Sequence, residues 1–241
     1  MKKSTVVLAL SIIVGGVLAS MILAKPWITL RQAKPIVVKG YAEQEVKSDS
    51  GSLSASVTVS APSNSLAYIE AGKSLDKVKA IVEKMLGTSS EVIELRTKIT
   101  EVLQLDENGR KTNKVDYYLA TRRVRINSDD VKNLKKLGRA LFDLNAQGLS
   151  VSVSGPNFFV SNLDKVKLEL IEKATANGRR RAELLATSSG ETLGRLVSAR
   201  QGIIQITKKN SSETTDWGVY DTETIDKVVK LVVTLEYEIA R

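Results

Sequence analysis

Six arginines stand in two short runs, Arg122, Arg123 and Arg125 in one and Arg179, Arg180 and Arg181 in the other. A guanidinium is a planar, permanently charged fork of donors that matches phosphate and carboxylate. Both runs are therefore candidate contacts for an anionic ligand; the plainer reading is that they are solvated faces paired with nearby Glu. Acid–base chemistry asks for paired carboxylates, and the candidates are Asp129-Asp130, Asp216 and Asp221. The first pair sits just ahead of an apolar helical pattern, where acidic residues cap a helix and meet its dipole. Asp216 and Asp221 lie in a polar loop, a poor scaffold for fixed geometry. Ser and Lys are plentiful, but no motif pairs them as nucleophile and base, and the glycines form neither a dinucleotide fingerprint nor a phosphate loop. With no His and no Cys in 241 residues, imidazole bases, thiolate nucleophiles, Cys/His zinc sites and disulfides are all excluded. No catalytic, cofactor-binding or metal-ligating residue is assigned, and the chain reads as a non-enzyme without a cofactor.

A net charge of +9 suits nucleic acid, anionic lipid or an acidic wall polymer equally. The N-terminus narrows the choice. Thr5 to Ala24 carries no charge over 20 positions, is preceded by Lys2 and Lys3 and is followed by Lys25-Pro26-Trp27. As a helix it matches the roughly 30 Å hydrocarbon core of a bilayer, and Trp27 takes an interfacial position. The expectation is a single-pass anchor in the inner, cytoplasmic membrane, with the remainder of the chain in the periplasm or outside. Val17-Leu18-Ala19 also satisfies the signal-peptidase rule, so a cleaved periplasmic form is the alternative; the length of the run favours a retained anchor. The segment, together with the lack of a nucleic-acid-binding motif, argues against nucleic acid. Anionic lipid and wall polymer remain as partners. The organisation expected is 1–4 cytoplasmic, 5–24 transmembrane, 25–35 linker and 36–241 folded, with 42% hydrophobic and 26% charged residues in the range of globular proteins.

Within the folded part, 36–47 and 52–60 read as strands, the second alternating Leu53, Ala55, Val57 and Val59 with Ser and Thr. Asp49-Ser50-Gly51 between them signals a turn, so the pair is expected as a hairpin. A helix follows with Ala71, Leu75, Val78, Val82 and Met85 on one face, ending near Gly87. Strands 92–105 and 115–126 flank Asp106-Glu107-Asn108-Gly109, a second hairpin signal. Ser128 and Asp129 are expected to cap a second helix with Val131, Leu134, Leu137, Leu141 and Leu144 inward, stopped by Gly148. A strand over 149–154 or beyond carries Gly155-Pro156 as a bend or bulge. The longest helix, 163–188, ends at Gly190; strands 195–206 and 225–239 frame a polar loop of 17 residues from Lys208 to Thr224. Strands that pair as hairpins, mixed with helices, predict an α+β domain: antiparallel sheet with about three packed helices.

Two surfaces are candidate interfaces. Ala174, Gly178, Ala182 and Ala186 recur every four residues as a smooth ridge that admits a close backbone, in its own sheet or in a neighbouring subunit. Trp217, Val219 and Tyr220 cluster in the polar loop, where aromatics either anchor a contact or fold back on the sheet edge.

The opening IVVKGYAEQEVKSDSGSLSASVTVSAPS, with Ser48-Asp49 where Pro-Asp is common, and the stretch ATANGRRRAELLATSSGETLG from Ala174 to Gly194 resemble the SIMPL-domain family over essentially residues 36 to 240. In the second stretch Arg181-Ala182-Glu183-Leu184-Leu185-Ala186 fits the basic-Ala-Glu-x-x-Ala run, and Gly178 replaces an Ala. The resemblance implies a periplasmic or envelope protein without established catalysis, in some members tied to oxidative or envelope stress and in some assembled into large rings. A non-catalytic, membrane-anchored, homo-oligomeric envelope protein is the function expected. An extracytoplasmic binding module for an anionic ligand is the alternative, and an unrecognised hydrolase a minor one.

Overall fold

The computed structural model describes residues 35–211, 213 and 215–240. The expected anchor 5–24 and its flanks, Trp27 included, lie outside the described residues. Among the described residues no helix is long and apolar enough to cross a membrane.

The element order is β1 (Ile36–Lys47), β2 (Ser50–Ala61), α1 (Asn64–Leu86), β3 (Ser90–Glu94), β4 (Lys98–Leu105), β5 (Lys111–Ser128), α2 (Val131–Phe142), β6 (Val151–Phe159), α3 (Leu163–Ser188), β7 (Thr192–Gln201), β8 (Gln205–Lys208) and β9 (Asp226–Ala240). Among the described residues the fold is α+β, with antiparallel sheets and three α-helices. One sheet runs β3-β5-β2-β6 with β4 also on β5; the other runs β1-β9-β7 with β8 also on β9. The chain forms two compact units: residues 42–172 and 203–231 make the larger, while 36–41, 173–202 and 232–240 belong to the smaller.

In the larger unit, the apolar face of β2 and the matching residues of β5 and β6 are covered by α1 and α2. Leu53, Val57, Val124, Leu75, Leu137 and Phe158 share one buried core. Helix α1 starts at the N-cap Ser63, whose side chain accepts from Leu66 N–H at 3.3 Å. Its buried stripe ends on Leu86, with Met85 only half-buried beside it. The cap of α2 is Asp130 rather than Ser128 or Asp129: its Oδ1 accepts from Asn133 N–H at 3.0 Å, and the Ser128 hydroxyl accepts from Asp130 N–H at 3.1 Å. Leu144 is buried in a short 3-10 turn beyond α2, closed by Gly148 at φ 83°. The Gly155-Pro156 peptide is cis, and the β2–β6 register shifts at this point.

The β4–β5 hairpin forms as expected, with Leu105 opposite Lys111 and Gly109 at φ 75° donating to Asp106 O at 2.9 Å. The expected strand 92–105 is instead two pieces, β3 and β4, laid end to end along β5. Likewise 195–206 divides into β7 and β8, both antiparallel to β9.

The expected β1–β2 hairpin does not form, because the two strands enter different sheets. The donors of the turn are taken elsewhere: Ser48 N–H donates to Ile225 O at 2.9 Å and Asp49 N–H to Phe159 O at 3.0 Å. The Asp49 carboxylate accepts from Ser161 N–H and Oγ at 2.8 and 2.9 Å. A turn tied to two distant segments directs its strands apart.

The smaller unit sets the C-terminal part of α3 on β1 and β9. Ala174, Ala182 and Ala186 are at most 1% exposed. At Gly178 an added Cβ would come within 2.7 Å of Leu235 Cδ1 and 3.2 Å of Gly40 Cα. The small-residue ridge thus packs against this chain's own strands, and its smoothness serves that intramolecular approach rather than a surface open to another subunit.

Candidate functional site

Side chains along β5 alternate between two faces, and this divides the first arginine run. Val124 and Ile126 enter the core, and Arg122 shares their side. Its guanidinium carbon lies 4.2 Å from the Tyr68 ring centroid on α1, a cation–π contact, beside Gly72, whose added Cβ would stand 3.6 Å from it. The Arg122 Nε is buried, with no hydrogen-bond partner among the described residues. Arg123 and Arg125 project from the opposite face and are exposed.

There the antiparallel register builds two rows across three strands. Arg125 of β5 stands opposite Ser54 of β2, which stands opposite Ser154 of β6; one repeat along, Arg123, Ser56 and Ser152 line up in the same way. With Leu95 and Ala55 these residues line an open recess of about 390 Å³, and among the described residues no carboxylate lines it. Among the described residues neither Arg123 nor Arg125 makes a side-chain hydrogen bond or an ion pair. The acidic side chain one row further, Glu91, accepts from Asn127 Nδ2 at 3.1 Å. Two uncompensated guanidiniums beside four hydroxyls, each a donor and an acceptor, can hold an oxyanion and the hydroxyls around it.

The second run does not converge. Arg179 pairs with Glu183 at 2.9 Å, and this hydrogen bond raises the arginine's pKa further. Arg181 donates to the Lys39 carbonyl of β1 at 3.1 Å, and Arg180 is exposed. Among the described residues no group of three or more carboxylates converges as a metal site.

Residues 36–224 match the family SIMPL, described as a protein of unknown function (DUF541). The chain belongs to the SIMPL family. No curated protein matches it. Among solved structures it is similar to a hydantoinase/carbamoylase family amidase from Burkholderia ambifaria, at 14% identity and TM-score 0.29 over 56% of this chain and 34% of that one. It is also similar to an amidase of the same family from Burkholderia multivorans, at 14% identity and TM-score 0.28 over 50% and 29%. The chain spans about a third of the length of these structures, and a likeness this low carries no argument about activity.

The polar loop of this SIMPL chain is tied to β8 through its last residues. Ile206 N–H donates to Val219 O at 2.7 Å, Asp221 N–H to Ile206 O at 2.8 Å, and Val219 N–H to Gln205 Oε1 at 2.6 Å. Val219 is half-buried, Tyr220 is 45% exposed, and Trp217 stands 93% exposed. Asp216 is exposed, whereas Asp221 is buried against Lys227. Val219 and Tyr220 are therefore held by backbone bonds, and Trp217 alone of the three contacts almost nothing. Trp217→Ala is expected to change the folding free energy by less than about 0.5 kcal/mol, read as an unmoved urea midpoint. A clear loss of stability would show that the indole is packed.

Sequence reasoning picked out Arg123 and Arg125 but missed the serines that share their recess. The alternating Ser of 52–60 marks one wet face; that Ser152 and Ser154 lie beside it is a matter of strand order, which no local pattern carries.

Proposed function

We propose that this chain is a non-catalytic, membrane-anchored envelope protein whose SIMPL domain binds an anionic ligand outside the cytoplasm. The observation that carries this reading is that Arg123 and Arg125 stand beside Ser54, Ser56, Ser152 and Ser154 in a recess where, among the described residues, neither has an ionic partner and no carboxylate lines the wall. A charge-assisted hydrogen bond contributes about 1.5–3 kcal/mol when its partner arrives. Burying the positive charge against an acidic ligand is thus the event this face favours. The uncharged run from Thr5 to Ala24 supports the anchored, extracytoplasmic placement: a reporter fused after Arg241 is expected to be active only outside the cytoplasm, and protease added to spheroplasts to digest the domain. A protected domain would overturn the placement.

The binding claim is tested with the full chain in detergent on an immobilised acidic wall polymer. The Arg123→Gln, Arg125→Gln double variant is expected to lose about tenfold or more in affinity, equivalent to 1.4 kcal/mol per decade, with an unchanged circular dichroism spectrum because both side chains are exposed. Binding unaffected by the double substitution would sink the reading. Self-association is a second reading, favoured by the free indole of Trp217; it predicts that Trp217→Ala lowers the mass measured by light scattering while leaving polymer binding intact.

A further inference from the structure

Resting on that reading, we infer that the recess takes a polyanionic polyol chain, holding two successive charges of the same molecule at once. The arginines are two residues apart on one strand, which places their Cα atoms about 6.5–7 Å apart, each heading its own row. The serine pairs extend those rows over two further strands, so the hydroxyl floor reaches roughly 10 Å from β5 to β6. One small oxyanion engages one row, or draws two like charges together. A chain running along β5 with an anionic group at each strand repeat satisfies both guanidiniums without convergence and lays its hydroxyls over Ser54, Ser56, Ser152 and Ser154. Among the described residues no aromatic ring lines the recess, so these residues offer no stacking platform of the kind single-stranded nucleic acid uses. Among the described residues Leu95 and Ala55 are its only apolar lining residues, too little for acyl chains. The ligand chemistry shared by phosphodiester-linked polyols and acidic polysaccharides fits both features.

Titration calorimetry of the full chain in detergent distinguishes the sources. The probes are inorganic phosphate, glycerol phosphate, a poly(glycerol phosphate) oligomer, an oligogalacturonate, oligothymidylate, and vesicles of phosphatidylglycerol. At least one of the two polyol oligomers is expected to bind about tenfold or more tightly than its monomer, and the tighter of them names the source. Arg123→Gln and Arg125→Gln should each remove most of that advantage, and the double variant should lose the remaining single-charge binding as well. Ser152→Ala, Ser154→Ala, on the edge strand, should weaken the polyol oligomer severalfold and leave oligothymidylate unchanged. If the monomer or inorganic phosphate binds as tightly as the oligomer and depends on the same arginines, the two-charge inference falls while the anionic site stands. Preference for oligothymidylate or for vesicles overturns the inference by naming another ligand class. If no anion binds, or none responds to the arginine substitutions, both this inference and the proposed function fall.

Discussion

Replacing Gly40 with alanine is expected to destabilise the protein by about 3 kcal/mol, at the top of the usual range for overpacking. A Cβ at position 40 would lie 2.0 Å from the Ala174 carbonyl oxygen, 2.7 Å from Gly178 N and 2.9 Å from Gly178 Cα. All three are backbone atoms of α3, so no rotamer change relieves the clash, and strand and helix must separate. The hydrogen bond from Tyr41 N–H to Asn177 Oδ1, at 3.2 Å, and that from Arg181 to Lys39 O would be strained with them. Gly178→Ala is the matched comparison. Its new Cβ meets the Leu235 methyl at 2.7 Å, which can yield, and the Gly40 Cα and N at 3.2 and 3.3 Å, backbone atoms that must shift by a few tenths of an ångström, while the change recovers about 1 kcal/mol of helix propensity. The expected order in urea midpoints is wild type, then Gly178→Ala, with Gly40→Ala well below both. Equal midpoints for the two variants would show that strand and helix are not locked together here.

Asp221→Asn is expected to destabilise by about 3–5 kcal/mol at neutral pH, the range for removing one member of a buried ion pair. Lys227 has a fully buried side chain and Asp221 one that is 4% exposed, with Nζ 3.4 Å from Oδ2. The ammonium also donates to Asp221 O at 2.6 Å and to Thr224 O, so each proton has an acceptor. Burial pushes the Asp221 carboxyl up, but hydrogen bonds from Thr224 Oγ1 and Glu223 N–H and the charge of Lys227 outweigh it and hold the pKa below its ordinary value. Burial lowers that of Lys227. A carboxyl depressed on folding contributes stability that is complete above its unfolded pKa, about 3.9, and is lost as pH falls through the lower folded value. Wild type and Asp221→Asn should therefore converge in strong acid. Asp221→Asn, Lys227→Met should recover much of the loss at neutral pH, because no unpaired charge is left buried. A double variant as unstable as Asp221→Asn alone would mean that the pair matters for its hydrogen-bonded loop, not its charge.

What the sequence determined by itself was local. The Ser and Thr alternation of 52–60 makes a two-faced strand in any context, Gly109 after Asn108 makes the β4–β5 turn, and the four-residue recurrence of Ala174, Gly178 and Ala182 makes a smooth helix face. The separation of Arg122 from Arg123 and Arg125 was also present, as the two-residue period of a strand. Tertiary structure decided everything that depends on a neighbour distant in sequence. β1 and β2 parted because Ile225 and Phe159 capture the N–H groups of the turn between them. The alternating pattern of either strand fits any partner that offers an apolar face, so it could not choose. The recess exists because β2 lies between β5 and β6, which sets serines from residues 54 and 154 in one row with Arg125. A lysine in the sequence signals solvent, and Lys227 is buried only because the backbone from Asp221 to Thr224 folds over it with enough oxygen acceptors to replace water. Periodicity is fixed by the geometry of one strand or helix; pairing is fixed by which distant donors and acceptors remain to be satisfied.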